Sequence, residues 1–121
     1  MKKRIAEQWC KALRSRKYKQ GKCQLRQGEG FCCLGVLCDI AVKAGLGKWR
    51  EGEYRHTAGE HAGVSCLVGL VAGVRHWSGV HTYDGAAGNG ATGYKSLARM
   101  NDRGVGFPEI ADFIEANVKD L

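Results

Sequence analysis

Residues 31–42, "FCCLGVLCDIAV", contain one polar side chain, Asp39. A run of about twelve residues favours helix over strand, and a helix that is apolar on every side belongs at the centre of a fold. "KAGLG", residues 43–47, ends it.

Three of the six cysteines fall in this run. Zinc takes ligands that converge tetrahedrally, usually from Cys-x2–4-Cys pairs. Cys32 and Cys33 are adjacent, so on a helix their side chains diverge by about 100°. Cys33 and Cys38, five apart, also face different ways, and Cys10, Cys23 and Cys66 are isolated. The four histidines, His56, His61, His76 and His81, form no recognised motif with them, so no metal ligands are assigned. A nucleophilic cysteine needs a nearby cation or a helix N-terminus, and only Cys23, between Lys22 and Arg26, has that setting. The cysteines of the run read as small hydrophobes in a tight core.

Around the run, residues 4–16 predict an amphipathic helix: Ile5, Trp9 and Leu13 recur every four residues, opposite a Lys/Arg face. Gly21, Gly28 and Gly30 then punctuate a segment in which "KCQLR" suits a short strand of a hairpin. Residues 45–65 read as a loop with a strand. "SCLVGLVAGVRHW" places Leu70, Val74 and Trp77 at helical spacing, and residues 79–93 read as a glycine-rich loop. Twelve of the eighteen glycines lie between Gly45 and Gly93. The last segment carries one stripe of Phe107, Ile110, Ala111, Ile114 and Val118. Pro108 sits in its first turn, and Glu109 and Asp112 lie near the positive end of the dipole. The expected architecture is a single α+β domain over residues 1–121. Its elements are an N-terminal amphipathic helix, a short β-hairpin, the buried Cys-rich helix, a glycine-rich middle and a C-terminal helix.

Charge is unevenly spread. The net charge is +7, yet residues 1–26 carry ten Lys/Arg against one Glu, and residues 101–121 carry five acids against two bases. Such asymmetry fits self-association, an anionic partner, or a solvated basic face. "MKKRIAEQWC" starts like a secretory n-region, but no apolar h-region follows, and the longest near-apolar run, Ala62 to Val74, is 13 residues. That is too short to span a bilayer, so a cytoplasmic protein with reduced thiols and no membrane partner is expected.

Three stretches approach functional chemistry. "GNGATGYKS", residues 88–96, misses the phosphate-loop pattern because Tyr94 intervenes between glycine and Lys95, although Lys95 and the glycine N–H groups could touch an anion. Residues 14–26 hold six cations, with Tyr18 interleaved and no acid, which suits either a phosphate backbone or a basic loop facing water. "MNDRGVGF" sets Asn101, Asp102 and Arg103 in a turn before the last helix, which is ordinary turn chemistry or the lining of a small pocket. No catalytic triad, carboxylate pair or dinucleotide fingerprint is visible, so an enzyme is not favoured and no cofactor is expected.

Taken together, "W..ALRS.KYKQG..QLR...GFCCLGVLCDIA", "V..W.GV" and "SLARMNDRGVGFPEIADFIE" resemble a widespread group of small proteins encoded by tailed bacteriophages and prophages. The likeness covers residues 9–42 and 74–115. Where that group usually has a Ser-x-x-Glu capping box, this chain has Gly106 and Glu109, which weakens the N-cap and leaves Glu109 without its reciprocal partner. The resemblance implies a setting, an accessory factor against host defence in the host cytoplasm, and no reaction.

Two function classes follow. One is a non-catalytic homo-oligomeric binder that sequesters an anionic, nucleotide-like molecule. It would use Arg14, Lys22, Arg26 and Lys95 for charge, Tyr18, Trp77 and Tyr94 for stacking, and Asn101 and Arg103 for polar contacts. The other is an inhibitor that binds a host defence protein or nucleic acid through the basic N-terminal face.

Overall fold

The computed structural model describes residues 1–59, 61–62, 69–88 and 95–121. Its first helix, α1 (Lys3–Arg14), buries Ile5, Ala6, Trp9, Cys10 and Leu13, the face that the four-residue spacing predicts. It stops at Ser15, whose hydroxyl donates to the Ala12 carbonyl at 2.6 Å.

Strands β1 (Lys19–Gln20), β2 (Arg26–Gln27) and β3 (Gly30–Phe31) form a small sheet with β3 in the middle. β2 and β3 are the expected hairpin, antiparallel with Arg26 opposite Phe31, whereas β1 joins in parallel. The hairpin is shorter than the sequence suggests. Of "KCQLR" only Arg26 is extended, because Cys23 adopts φ +64° and the chain bends inward to bury Leu25.

The reason for that bend is α2 (Cys33–Lys43), the apolar run. Cys32 caps it by accepting the Gly35 N–H on its sulfur at 3.3 Å. A Cβ on Gly35 would lie 1.7 Å from the Leu25 carbonyl oxygen, so the loop backbone lies directly on the helix. Cys33, Leu34, Val36, Leu37, Cys38 and Ala41 are all buried, and the helix is central as expected. Asp39, its one acidic residue, accepts the Tyr18 hydroxyl at 2.5 Å and the Trp49 indole N–H at 2.9 Å, with Lys43 3.4 Å away.

The described part of residues 45–62 is more ordered than a loop. β4 (Gly47–Arg50), β5 (Glu53–His56) and β6 (His61–Ala62) make an antiparallel meander. Glu51 and Gly52 both take positive φ, +52° and +80°, the two-residue turn whose twist matches a hairpin. The meander is anchored by Trp49, which packs edge-on against Phe31 at 5.9 Å and Tyr54 at 5.8 Å.

The apolar segment that follows contains α3 (Ala72–Ser78), ended by Gly79 at φ +79°. Leu70 and Val74 are buried and Trp77 is half-buried. The stretch expected to be a glycine-rich loop contributes β7 (Ala86–Ala87), which pairs with β8 (Lys95–Ser96).

Two helices close the domain: α4 (Leu97–Asp102) and α5 (Phe107–Ala116). The turn expected at Asn101–Arg103 is instead the end of α4. Ser96 starts that helix by accepting the Arg99 N–H at 3.4 Å, while Leu97 and Asn101 face inward. α5 lays Phe107, Ile110, Ala111 and Ile114 against α1, while α1 and α4 pack on α2, completing one α+β core.

Candidate functional site

Lys95, Arg99 and Arg103 recur every four residues along α4 and its flanks: Lys95 in β8 just before the Ser96 cap, Arg99 within the helix, and Arg103 at its C-cap. Residues before α4 hold it in place: Leu97 N–H donates to Gly85 O at 3.1 Å and Ala98 N–H to Asp84 O at 3.2 Å. Across from α4, the same spacing puts Glu109 and Phe113 on the outer side of α5, with Ile110 and Ile114 turned inward.

Between the two helices runs a groove of about 460 Å³ lined by Lys95, Arg99, Arg103 and Glu109 over a floor of Met100, Val105 and Phe113. The three floor residues also pack on the core, so the floor is fixed. The Lys95 ammonium lies 6.0 Å from the centre of the Phe113 ring. Among the described residues, none of the three cations forms an ion pair, and Glu109 forms none either. Three uncommitted cations beside an aromatic floor can hold an anionic group and a flat ring together.

Of the residues singled out in the sequence, Lys95 and Arg103 meet in this groove. Lys22 does not line it; its ammonium lies near Gly104, where a Cβ would be 3.8 Å away. The others are placed elsewhere. Arg26 lines a second, more polar hollow of about 500 Å³ with Gln24, Gln27, Trp49 and Glu51. Its guanidinium is already spread over Phe31 at 5.2 Å and Trp49 at 5.6 Å. Tyr18 spends its hydroxyl on Asp39 and accepts from Lys43 at 3.0 Å. Trp77 borders a shallow recess with Lys2, Arg4 and Ile5. Tyr94 lies outside the described residues.

Two expected contacts are structural. Arg14 spans to α5, donating to Asp112 at 2.6 Å and Glu115 at 2.5 Å. The basic start and acidic end of the chain therefore meet within one molecule, an intramolecular outlet for their charge asymmetry. Asn101 is fully buried: its amide donates to Gly21 O at 2.7 Å, and its oxygen accepts from Cys33 N–H at 3.1 Å and from Gln20 at 3.0 Å. It pins α4 to α2 and β1 and has no surface to offer a ligand.

Sequence reasoning missed Arg99 in this role, and it weighed Glu109 only for the helix dipole and a capping box. The signal for Arg99 was the Lys95–Arg99–Arg103 spacing, which becomes one wall only if residues 97–102 are helical.

The thiols have no nucleophilic setting in the core. Burial pushes Cys33 and Cys38 well up, and burial likewise raises Cys10 and Cys32 to about 11. Among the described residues no three His, Cys, Asp or Glu side chains converge on a metal-sized site, and no helix is long and apolar enough to cross a membrane.

A family model described as a domain of unknown function (DUF8296) matches residues 1–118. No curated protein and no solved structure matches the chain.

Proposed function

The chain belongs to the DUF8296 family, and on that footing we propose that it is a non-catalytic binder of an anionic, nucleotide-like molecule, held in the α4–α5 groove. The observation that carries this reading is the convergence of Lys95, Arg99 and Arg103, free of carboxylate partners among the described residues, over the Phe113 ring. The cations supply charge-assisted hydrogen bonds to phosphate oxygens, and the apolar floor takes the face of a base. Within this reading, the phage setting expected from the sequence would supply a role: sequestering a nucleotide signal of host defence in the host cytoplasm.

The test is native mass spectrometry of the purified protein with a mixture of nucleotides and cyclic dinucleotides, repeated on a variant with Lys95, Arg99 and Arg103 all changed to Ala. Bound mass on the wild type and none on the variant supports the reading, and the same spectra give the subunit count. Equal loading of both proteins overturns the groove assignment.

A second reading has its own observation. Of the ten cations in residues 1–26, only Arg14 is in an ion pair among the described residues. A basic face of this kind suits a host protein or nucleic acid, and predicts binding that weakens steeply with salt and depends on several Lys/Arg at once.

A further inference from the structure

The α4–α5 groove holds opposite charges apart. Lys95, Arg99 and Arg103 line it together with Glu109, yet Glu109 pairs with none of them. Its place on α5 explains why its carboxylate is uncommitted. It is the third residue of the helix, the position whose carboxylate accepts the N-cap backbone N–H in a capping box, but Gly106 has no side chain to complete the box and, among the described residues, Glu109 makes no such bond. The N-terminus of α5 is served from elsewhere, by Gln20, whose amide oxygen accepts the Phe107 N–H at 3.2 Å. Glu109 is therefore exposed, unpaired and beside the aromatic floor.

An occupant that satisfies both sides must itself be two-ended, with anionic oxygens toward the three cations and N–H donors toward the carboxylate. The geometry points to a guanine nucleotide as the ligand class, with Glu109 reading the base; this deepens the proposed function and rests on it. A carboxylate offers two acceptor oxygens and no donor. Guanine alone among the common bases presents two adjacent donors, N1–H and the 2-amino group, which match both oxygens in a paired arrangement. Adenine places an acceptor, N1, beside its amino group. The single N3–H of uracil is flanked by carbonyl oxygens that repel a carboxylate. Hypoxanthine keeps N1–H and lacks the 2-amino group, so it isolates one hydrogen bond of the pair.

Calorimetric titration of the full chain with GMP, IMP, AMP and UMP tests this. GMP should bind about tenfold more tightly than IMP, because a site built to accept a donor rejects the analogue lacking it. AMP and UMP should be weaker still. Glu109→Ala should erase the preference while retaining binding, and Glu109→Gln, with one acceptor oxygen left, should fall between. Binding of all four nucleotides with equal affinity, unaltered in order by either variant, overturns the base assignment and leaves the proposed anionic site standing. Binding of none of them overturns both.

Discussion

Gln20 and Asn101 are eighty-one positions apart and share a hydrogen bond of 3.0 Å, from the Gln20 amide to the Asn101 side-chain oxygen. Gln20 also donates to Val105 O at 2.7 Å and accepts from the first N–H of α5, while Asn101 reaches Gly21 and Cys33. Two amides thus satisfy the backbone of β1, α2 and the α4–α5 turn at one point. Asn101→Ala leaves the buried Cys33 N–H and the half-buried Gly21 carbonyl without partners, and should cost about 2–4 kcal/mol of stability. Urea unfolding checks it; a wild-type midpoint would remove Asn101 from its structural role.

Gly35 admits no side chain. With the Leu25 carbonyl where a Cβ would be, Gly35→Ala must push the loop off α2, at a cost of more than about 3 kcal/mol. Thermal melts should show a large fall, or no cooperative transition at all.

Acid should unfold the domain through two carboxylates. Burial opposes charge on Asp39, but hydrogen bonds from Tyr18 and Trp49 and the nearby Lys43 outweigh it and hold its carboxyl below the ordinary value. The Arg14 hydrogen bond does the same for Glu115. A carboxyl lowered in the folded state contributes stability above its unfolded value, near about 4, and loses it as pH falls through the folded value. Unfolding midpoints should therefore drop between about pH 5 and about pH 2, and Glu115→Gln should flatten that drop. An unchanged profile in the variant would exclude the Arg14 pair as a cause.

Thiol reactivity should divide the cysteines. At about pH 8, a thiol raised from about 9 to about 11 is roughly 100-fold poorer in thiolate than an ordinary one. Iodoacetamide labelling followed by peptide mapping should find Cys23, which is exposed, modified well before Cys10 and Cys32, with Cys33 and Cys38 modified only on unfolding. Early labelling of Cys33 in the native protein would contradict the buried core.

Groove charge should affect binding without affecting the fold. Arg99 is exposed and carries no ion pair among the described residues, so Arg99→Ala should leave the melting temperature nearly unchanged. Loss of a hydrogen bond to a charged group should weaken nucleotide binding by roughly 10–100-fold, read by the same titration.

The helices were legible because their signals are local. Four-residue stripes marked α1 and α5, and an unbroken apolar run marked α2. The β4–β6 meander was not, since its strands are short, carry charge and glycine, and gain their order from Trp49 docking on Phe31 and Asp39 outside the segment. α4 was hidden for a related reason. Its inward face includes Asn101, whose polarity reads as surface until Gly21 and Cys33 are brought beside it. The groove depends on how α4 and α5 sit together, which no spacing in one segment encodes, so Lys95 and Arg103 could be singled out but not joined to Arg99 and Glu109 in one groove.

The pairing of α1 with α5 also sets a schedule. During synthesis, α2 emerges with apolar surface on every side, and the stripe of α5 that helps to cover its neighbourhood follows roughly seventy residues later. At about 5–20 residues per second this is a wait of several seconds. A nascent chain with its most hydrophobic helix uncovered for that long exposes the apolar surface that makes partly folded species aggregation-prone.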